Sequence, residues 1–293
     1  RIKSRPYTYK ADCTACGGTA EVPFMPIPGK NLYCSDCFTD RKQNVLQSPK
    51  FSNDTEEAHT DVFPSINLMP STRTSIAKMG ISAPTPIQEA TIPILQDGQD
   101  IVGQARTGSG KTLAFGIPII EQSDPSIRVT QAIILAPTRE LAIQIANVIK
   151  PLAYRRSLNV ALVYGGHSML PEKKLLSRGA QIVIGTPGRM LDHIRQKNLV
   201  PNKLKILVVD EADEMFEMGM AQDVEKIISA TPGNRQTALF SATLPKWVAR
   251  TATKHLNNPK TVAVDADINT PPDIEHVIYE INEFDKLKAL KTL

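Results

Sequence analysis

The sequence lacks several features that would restrict where the protein works. No run of apolar residues is long enough to cross a bilayer, so no membrane association is predicted. No secretory signal is recognisable at the start, and we expect an intracellular, cytoplasmic protein. The chain begins at Arg1 rather than Met, so we expect a truncated N-terminus and leave organellar or nuclear targeting open. The net charge is only +4, which permits a nucleic-acid partner without arguing for one.

Cysteine is absent after residue 37, and the four cysteines form two Cys-x₂-Cys pairs, Cys13 with Cys16 and Cys34 with Cys37. This is a zinc-site spacing, and four thiolates close a tetrahedral site, so the sequence predicts one structural Zn²⁺. The alternative is two disulfides in a secreted fragment, which the intracellular features downstream disfavour. A core this small needs its metal to fold. We therefore expect a small zinc ribbon over residues 1–42, able to contact RNA or a protein partner.

The rest of the chain alternates short apolar runs with helical patterns. Residues 20–24 and 31–33 could form a hairpin between the cysteine pairs, and the polar residues 43–60 are predicted to be a linker. The predicted helices are 68–78, 87–95, 139–154, 170–177, 189–197, 222–230 and 246–255. The predicted strands are 132–135, 160–164, 181–184, 205–209, 237–240 and 261–264. Largely apolar strands alternating with helices indicate a doubly wound α/β domain whose parallel sheet is covered on both faces.

A glycine-rich stretch lies between a short apolar run, Ile101-Val102, and a helical pattern that opens at Lys111. Its glycines allow a tight turn whose N–H groups face an anion, and the helix adds the positive end of its dipole. Lys111 can reach terminal phosphates and the Thr112 hydroxyl can ligate Mg²⁺. The usual phosphate-loop pattern begins with Gly, where this chain has Ala. The predicted phosphate-binding residues are Ala105, Arg106, Thr107, Gly108, Ser109, Gly110, Lys111 and Thr112.

An acidic sequence, Asp210-Glu211-Ala212-Asp213, directly follows a predicted strand. Beside a phosphate loop, an acid in this place holds Mg²⁺, and Glu211 can orient or deprotonate an attacking water. The alternative, an acidic helix start stabilised by its dipole, competes only if the phosphate loop is ignored. Four other strands are also followed by small, polar or charged residues. Since ligands of open α/β sheets bind at the carboxyl ends of strands, we expect all five loops to line one edge.

The stretch Pro84-Thr85-Pro86-Ile87-Gln88 precedes the phosphate loop. The amide of Gln88 offers a donor and an acceptor, which complement N7 and N6 of adenine. On spacing alone, an ordinary surface glutamine of a helix is the favoured interpretation. Gly80 ends the preceding helix as a residue suited to a left-handed conformation.

These motifs together resemble the DEAD-box RNA helicases of superfamily 2, and the acidic motif is literally Asp-Glu-Ala-Asp. The resemblance runs from Phe63 to about Val264. It implies a RecA-like ATP-binding domain over residues 61–265, with Lys111, Asp210 and Glu211 as catalytic residues. It also implies that Phe63 stacks on adenine, that Gln88 reads its edge, and that Gly80 and Thr85 belong to the same site. The cofactors would be ATP and Mg²⁺, the metal held by Thr112 and Asp210.

The resemblance further implies RNA contacts and a coupling element. RNA backbone and sugar would be bound, with little sequence specificity, by Pro137, Thr138, Arg139, Gly165, Gly166, Thr186, Pro187, Gly188 and Arg189. Ser241 and Thr243 would contact Asp213 and couple hydrolysis to RNA binding. Residues 266–293 are expected to hold an interdomain linker, which Asp265 to Pro272 resembles, and the first strand and helix of a second RecA-like domain, which Ile274 to Leu293 resembles. We therefore expect a truncated chain with weak activity.

The leading functional prediction is RNA-dependent ATP hydrolysis coupled to local unwinding of a duplex. An ATP-gated RNA clamp or assembly scaffold uses the same motifs and remains open. A DNA translocase of the same superfamily is disfavoured by the Gln88 motif and by the Asp-Glu-Ala-Asp form of the acidic motif.

Overall fold

The computed structural model describes residues 9–12, 18–22, 62–264, 277–282 and 285–292. The chain divides into two compact units, residues 1–59 and 60–293. Within the described ranges, no helix combines the length and apolar character that crossing a bilayer requires.

The first unit contains an antiparallel strand pair. Strand β1, Tyr9–Asp12, pairs with β2, Thr19–Val22, in a register that places Tyr9 opposite Val22. Strand β2 overlaps the expected strand at 20–24, and its partner among the described residues, β1, precedes the first cysteine pair. The predicted zinc ligands Cys13, Cys16, Cys34 and Cys37, and the expected strand at 31–33, lie outside the described residues.

The second unit is built on a seven-stranded sheet in which every neighbouring pair is parallel. Its strand order is β5-β6-β4-β7-β8-β3-β9. The strands are β3 Ile101–Gln104, β4 Ala132–Leu135, β5 Val160–Val163, β6 Ile182–Gly185, β7 Ile206–Val209, β8 Gln236–Ser241 and β9 Lys260–Ala263. The predicted parallel α/β sheet is confirmed.

Helices cover both faces of this sheet. They are α1 Pro70–Lys78, α2 Pro86–Gln96, α3 Lys111–Gln122, α4 Arg139–Arg155, α5 Leu170–Ser177, α6 Pro187–Arg195, α7 Ala212–Glu217, α8 Ala221–Ser229 and α9 Lys246–His255, with α10 Lys286–Thr292 beyond the sheet. The helices expected from sequence periodicity are confirmed with small shifts at their ends. Helix α7 is not among the predicted helices, because it begins within the acidic motif and its six residues are too few for a clear helical pattern.

Alternate strand residues pack into two separate apolar clusters, one on each face. Ile134 and Ile182 join the cluster that contains α1 to α4, while their neighbours Ile133 and Val183 join the cluster of the opposite face. Each such side chain stabilises the fold by roughly 1.5–3 kcal/mol through burial. Gly103 in β3 admits the Phe240 ring, since a Cβ there would lie 2.7 Å from ring atoms.

The expected strand within 274–293 does not form in the residues that the structure describes there. Residues 277–282 have no regular structure, and Ile278 is 89% exposed. A strand is stable only when a neighbouring strand satisfies its backbone groups, and no pairing partner for this segment is present among the described residues. The helical part of the expectation forms as α10.

Candidate functional site

The carboxyl ends of the strands lie in register along one edge of the sheet. Leu135 of β4 pairs with both Val209 of β7 and Gly185 of β6. Gln104 of β3 pairs with Ser241 of β8. The loops after β3, β8 and β7 therefore occupy one half of the edge, and those after β4, β6 and β5 occupy the other half. The expected gathering of these loops is confirmed.

The loop after β3 has the backbone that an anion site needs. Gly108 and Gly110 adopt left-handed conformations, with φ of 85° and 97°, which favour glycine. Lys111 begins α3 and is 5% exposed. Its Nζ donates to the carbonyl oxygen of Ala105 at 3.3 Å and lies 3.9 Å from Asp210 Oδ1. The lysine thus spans the base of the loop and faces the acidic motif after β7.

Asp210 is buried at the end of β7, and burial raises its pKa to about 6 even though Lys111 favours the charged form. The N–H of Glu211 donates to Asp210 Oδ1 at 3.1 Å. The oxygen of Asp210 and the hydroxyl of Thr112, next to Lys111, are the donor types that Mg²⁺ prefers. The residues present therefore fit a magnesium site.

Glu211 has an unusual backbone for its residue type. Its φ of 53° and ψ of 54° are left-handed, a conformation that costs a non-glycine residue about 1–2 kcal/mol. Its Oε1 accepts a hydrogen bond from the hydroxyl of Thr107 in the phosphate loop at 3.1 Å. The strained residue therefore joins the two motifs directly, and strain of this kind concentrates at functional sites.

Gln88 is a buried residue of α2 and not a surface glutamine, so the interpretation from spacing alone is wrong. It is 2% exposed. Its Nε2 donates to the carbonyl oxygen of Gly110 and its Oε1 accepts from the N–H of Thr85, both at 3.0 Å. A primary amide has two N–H groups and two lone pairs, so one of each remains available. Gln88 therefore links α2 to the phosphate loop, and one N–H and one lone pair of its amide are unused among the described hydrogen bonds.

The expectation that Phe63 offers a ring face to adenine is wrong for this structure. The Phe63 side chain is fully buried in the core, with a left-handed φ of 61°. Gly80, by contrast, takes the expected left-handed conformation after α1, with φ of 74°.

A cleft of about 420 Å³ opens beside the phosphate loop. The predicted residues that line it are Thr107, Gly108, Gly110, Lys111, Thr112, Asp210 and Glu211, whereas Gln88, Thr85 and Gly80 are not part of its lining. It is also lined by Met79, Ile81, Leu113, Leu141, Gln144 and Val148, which the sequence did not reveal. Leu141, Gln144 and Val148 repeat at helical spacing along one face of α4, and this periodicity could have revealed them.

The loop after β8 connects the two nucleotide motifs. Thr243 donates to Asp213 Oδ2 through both its N–H and its hydroxyl, each at 2.8 Å, and the Asp213 N–H donates to Ser241 Oγ at 3.2 Å. Burial opposes ionisation of Asp213, but these bonds outweigh it and lower its pKa. The N–H of Ala105 donates to the Ser241 carbonyl at 3.1 Å. The contact expected between Ser241, Thr243 and Asp213 is present.

In the other half of the edge, Arg139 is exposed at the start of α4 and lies against Gly166. Gly166 has a left-handed φ of 91°, which favours glycine, and a Cβ built there would be 2.7 Å from Nη1 at the flexible end of the Arg139 side chain. Thr138 caps α4 by accepting from the N–H of Leu141 at 3.2 Å. Thr186 holds the equivalent position before α6.

The remaining residues predicted to bind RNA differ in exposure. Gly188 is exposed, Gly165 is half-buried, and Pro137 and Pro187 are buried. The Arg189 side chain is only 11% exposed and is paired with Glu172, Nη1 to Oε2, at 2.7 Å. Glu172, His167 and His193, which form one cluster with Arg189, were not found from the sequence, because their contacts cross between separate elements.

A parallel α/β sheet with a phosphate loop after one strand and a buried acidic pair after another defines a P-loop nucleotide-binding protein. The family model described as DEAD/DEAH box helicase matches residues 85–251. The chain belongs to this family. A second model, described as a probable treble clef zinc finger, matches residues 7–42. The small zinc domain expected there is confirmed at family level, with a treble clef in place of the ribbon type.

Named relatives agree with this family. The ATP-dependent RNA helicase CshA of Listeria monocytogenes is 42% identical over 219 residues, 75% of this chain and 42% of that protein. DeaD of Mycobacterium tuberculosis is 46% identical over 210 residues, 71% of this chain and 37% of that protein. The structure of a DEAD box protein from Methanococcus jannaschii matches with a TM-score of 0.67 at 42% identity, covering 79% of this chain and 62% of that one. The chain spans about two fifths of the length of these curated relatives.

Proposed function

We propose that the chain is the ATP-binding part of an ATP-dependent RNA helicase, which couples ATP hydrolysis to RNA binding and local unwinding. The observation that carries this proposal is the hydrogen-bonded path between the phosphate loop and the acidic motif. It runs from Ala105 through Ser241 to Asp213 and Thr243. A change at the γ-phosphate can therefore be transmitted to the loops of the same sheet edge.

In this proposal, Lys111 and the loop N–H groups hold the phosphates, and Thr112 with Asp210 would hold Mg²⁺. The metal supplies charge neutralisation at the phosphates. Glu211 orients the attacking water and accepts its proton, since it directly follows Asp210 and has a carboxylate bonded only to Thr107 among the described contacts. Gln88 reads adenine with its remaining N–H and lone pair. Met79 and Ile81, which line the cleft, take the apolar role that sequence reasoning gave to Phe63.

RNA is proposed to lie along the other half of the edge, against the loops after β4, β5 and β6. The exposed guanidinium of Arg139 would contact a phosphate, while Gly166 and Gly188 permit close approach of the backbone. Contacts of this kind fix position and carry little sequence information. The cellular site is proposed to be the cytoplasm, where ATP and RNA are both present.

The proposed organisation has four parts: a zinc domain over 1–42, a linker over 43–60, the ATP-binding domain over 61–265, and a linker with the start of a second RecA-like domain over 266–293. One Zn²⁺ is proposed to be held by Cys13, Cys16, Cys34 and Cys37, supported by their spacing and the family match. The zinc domain is proposed to contact RNA or a protein partner.

The test is strand displacement by the full protein on a short RNA duplex with a single-stranded extension. We expect ATP to drive displacement and a non-hydrolysable analogue to support binding only. ATP-dependent binding without displacement would instead identify an RNA clamp. Equal displacement and ATPase stimulation by DNA would contradict an RNA-directed enzyme. Glu217 is an exposed residue of α7, and Glu217→Gln removes one negative charge, as Glu211→Gln does. It is therefore the matched control for the Glu211→Gln variant.

A further inference from the structure

A buried carboxylate on α5 is surrounded by four nitrogen atoms. Oε1 of Glu172 accepts from the N–H of Tyr164 at 2.9 Å and lies 3.1 Å from His167 Nε2. Oε2 lies 2.7 Å from Arg189 Nη1 and 2.8 Å from His193 Nε2. Glu172 itself is 2% exposed. An ionised carboxylate offers about four acceptor sites. Three of them accept hydrogen bonds, from Tyr164, Arg189 and His193, and the His167 ring lies at ion-pair distance from Oε1.

The charge of Glu172 is balanced by Arg189. His193 is fully buried, and its Nδ1 lies 3.4 Å from the side-chain amide nitrogen of Asn198. An amide NH₂ can only donate, so a neutral His193 accepts at Nδ1 and carries its proton on Nε2, which faces Glu172. Since the guanidinium is always protonated, Arg189 supplies the positive charge.

The four nitrogen atoms belong to two of the loops proposed for RNA. Tyr164 and His167 lie directly after β5, whereas Arg189 and His193 belong to α6, which follows β6. Arg189 adds a second link between them, because its Nη2 donates to the carbonyl oxygen of His167 at 2.9 Å. Glu172 therefore fixes the spacing of these two loops from beneath.

Both terminal nitrogens of the Arg189 guanidinium are thus used in contacts within the protein. A phosphate could engage its guanidinium fully only by leaving the buried Glu172 carboxylate unpaired, which is strongly unfavourable. Arg139 differs, since it is exposed and its Nη1 lies over Gly166. The two arginines of this sheet edge are thus in different electrostatic situations.

We propose that Glu172 is a positioning residue of the RNA interface, and that Arg189 acts through it as a brace between loops and not as a phosphate ligand. This inference rests on the proposed function. It assigns the phosphate contact to Arg139. It assigns to Arg189 and Glu172 the role of holding the loops in the position on which that contact depends.

The discriminating measurement is RNA affinity of the full protein as a function of salt. Each phosphate neutralised by a cationic side chain contributes about 0.7 to the logarithmic salt slope for a single strand. Arg139→Gln should lower the slope by about this amount. Arg189→Gln and Glu172→Gln should each weaken binding several-fold with the slope unchanged. A slope change for Arg189→Gln equal to that for Arg139→Gln would overturn the proposal, as would tighter binding by Glu172→Gln.

Conservative variants guard against a simple loss of folding. Lysine remains a point-charge phosphate ligand but lacks the planar fork of arginine. Arg139→Lys should therefore keep most of the affinity and the slope. Arg189→Lys should bind as poorly as Arg189→Gln, because it cannot bridge Glu172 and the His167 carbonyl together. Near-normal binding by Arg189→Lys would assign Arg189 to phosphate and contradict the brace.

Amide hydrogen exchange tests the bracing without RNA. Glu172→Gln places an amide NH₂ against donors on one side of the cluster, so exchange should quicken within 160–169 and 187–195 while the rest of the sheet stays protected. The control Glu217→Gln should leave both segments unchanged. Unchanged exchange in Glu172→Gln would overturn the positioning role. If the unmodified protein binds no RNA, the proposed function fails, and the exchange result still decides whether Glu172 fixes the loops.

Discussion

Thr243 donates two hydrogen bonds to a single oxygen of Asp213, one from its backbone N–H and one from its hydroxyl, each 2.8 Å from Oδ2. Asp213 is the second residue of α7, and its N–H donates to Ser241 Oγ at 3.2 Å. The pair Thr243 and Asp213 joins the loop after β8 to the loop after β7, and both loops are needed for the proposed coupling. The contribution of this interaction to stability and to coupling can be measured in two independent experiments.

The first is acid stability. Because the native pKa of Asp213 is lowered, its contribution is complete above the unfolded value of about 3.9 and is lost as the pH falls through the native pKa. Thr243→Val removes the hydroxyl donor and should cost about 1 kcal/mol in the free energy of unfolding at pH 7. The difference should shrink at pH 3, as measured by urea unfolding. The same cost at both pH values would show that Asp213 ionisation is not involved.

The second is the coupling of ATP hydrolysis to strand displacement. Thr243→Val and Ser241→Ala leave the phosphate loop itself intact, so we expect unchanged ATP affinity and a large loss of strand displacement. Thr253→Val, an exposed change on α9, is the matched control. Displacement at the normal rate in both loop variants would remove the proposed path.

Removing the proton acceptor should separate binding from turnover. Glu211→Gln keeps hydrogen bonding to water but cannot take its proton, so ATP and RNA binding should persist while steady-state ATPase activity falls by about 10²-fold or more. The exposed variant Glu217→Gln should retain full activity. Near-normal turnover in Glu211→Gln would assign the base to another residue.

Adenine selectivity should depend on the amide of Gln88. Gln88→Glu can still accept from Thr85, but it can donate neither to Gly110 nor to N7 of adenine, and we expect about 10-fold weaker ATP binding. Binding of inorganic triphosphate, which has no base, should fall less. Gln222→Glu, exposed on α8, controls for added charge. Equal ATP and GTP affinity in the unmodified protein would rule out base reading by Gln88.

The zinc assignment predicts about one zinc per chain in freshly purified, reduced protein, by elemental analysis. Cys16→Ser should abolish the bound metal and unfold the first unit, while the ATP-binding unit keeps its unfolding midpoint. Metal-free protein with a folded first unit would contradict a structural zinc. Disulfides, the alternative considered from the sequence, would appear as loss of free thiols without metal.

Local signals in the sequence were sufficient for the sheet and for the phosphate loop. The strands β4 and β6 are short, apolar and bounded by turns, and Gly108 and Gly110 have a distinctive spacing before Lys111. These features depend on neighbours in the chain, which a pattern records. The placement of the five polar loops on one edge followed from the rule for open sheets and needed no side-chain geometry.

Features that depend on contacts between distant elements could not be read in this way. Phe63 and Gln88 do not stand out in their local sequence patterns. Only tertiary packing buries Phe63 in the core and brings the Gln88 amide to the carbonyl oxygen of Gly110. Glu172 stands in a polar helix start and gives no sign of its four nitrogen neighbours. The strand that the resemblance implies within 274–293 does not form in the residues described there, since a strand needs a partner and none pairs with this segment among the described residues.

The left-handed backbone of Glu211 sets stability against activity. A glycine at this position would adopt the same φ without the penalty, so Glu211→Gly should make the folded domain more resistant to heat while removing the proposed base. A screen that selects variants only for thermal stability would thus favour substitutions of Glu211, and such variants would lose the proposed base for ATP hydrolysis. The strained backbone of Glu211 lowers the stability of the folded domain by a small amount. Substitutions intended to stabilise the domain without removing the proposed base must therefore be made at other residues.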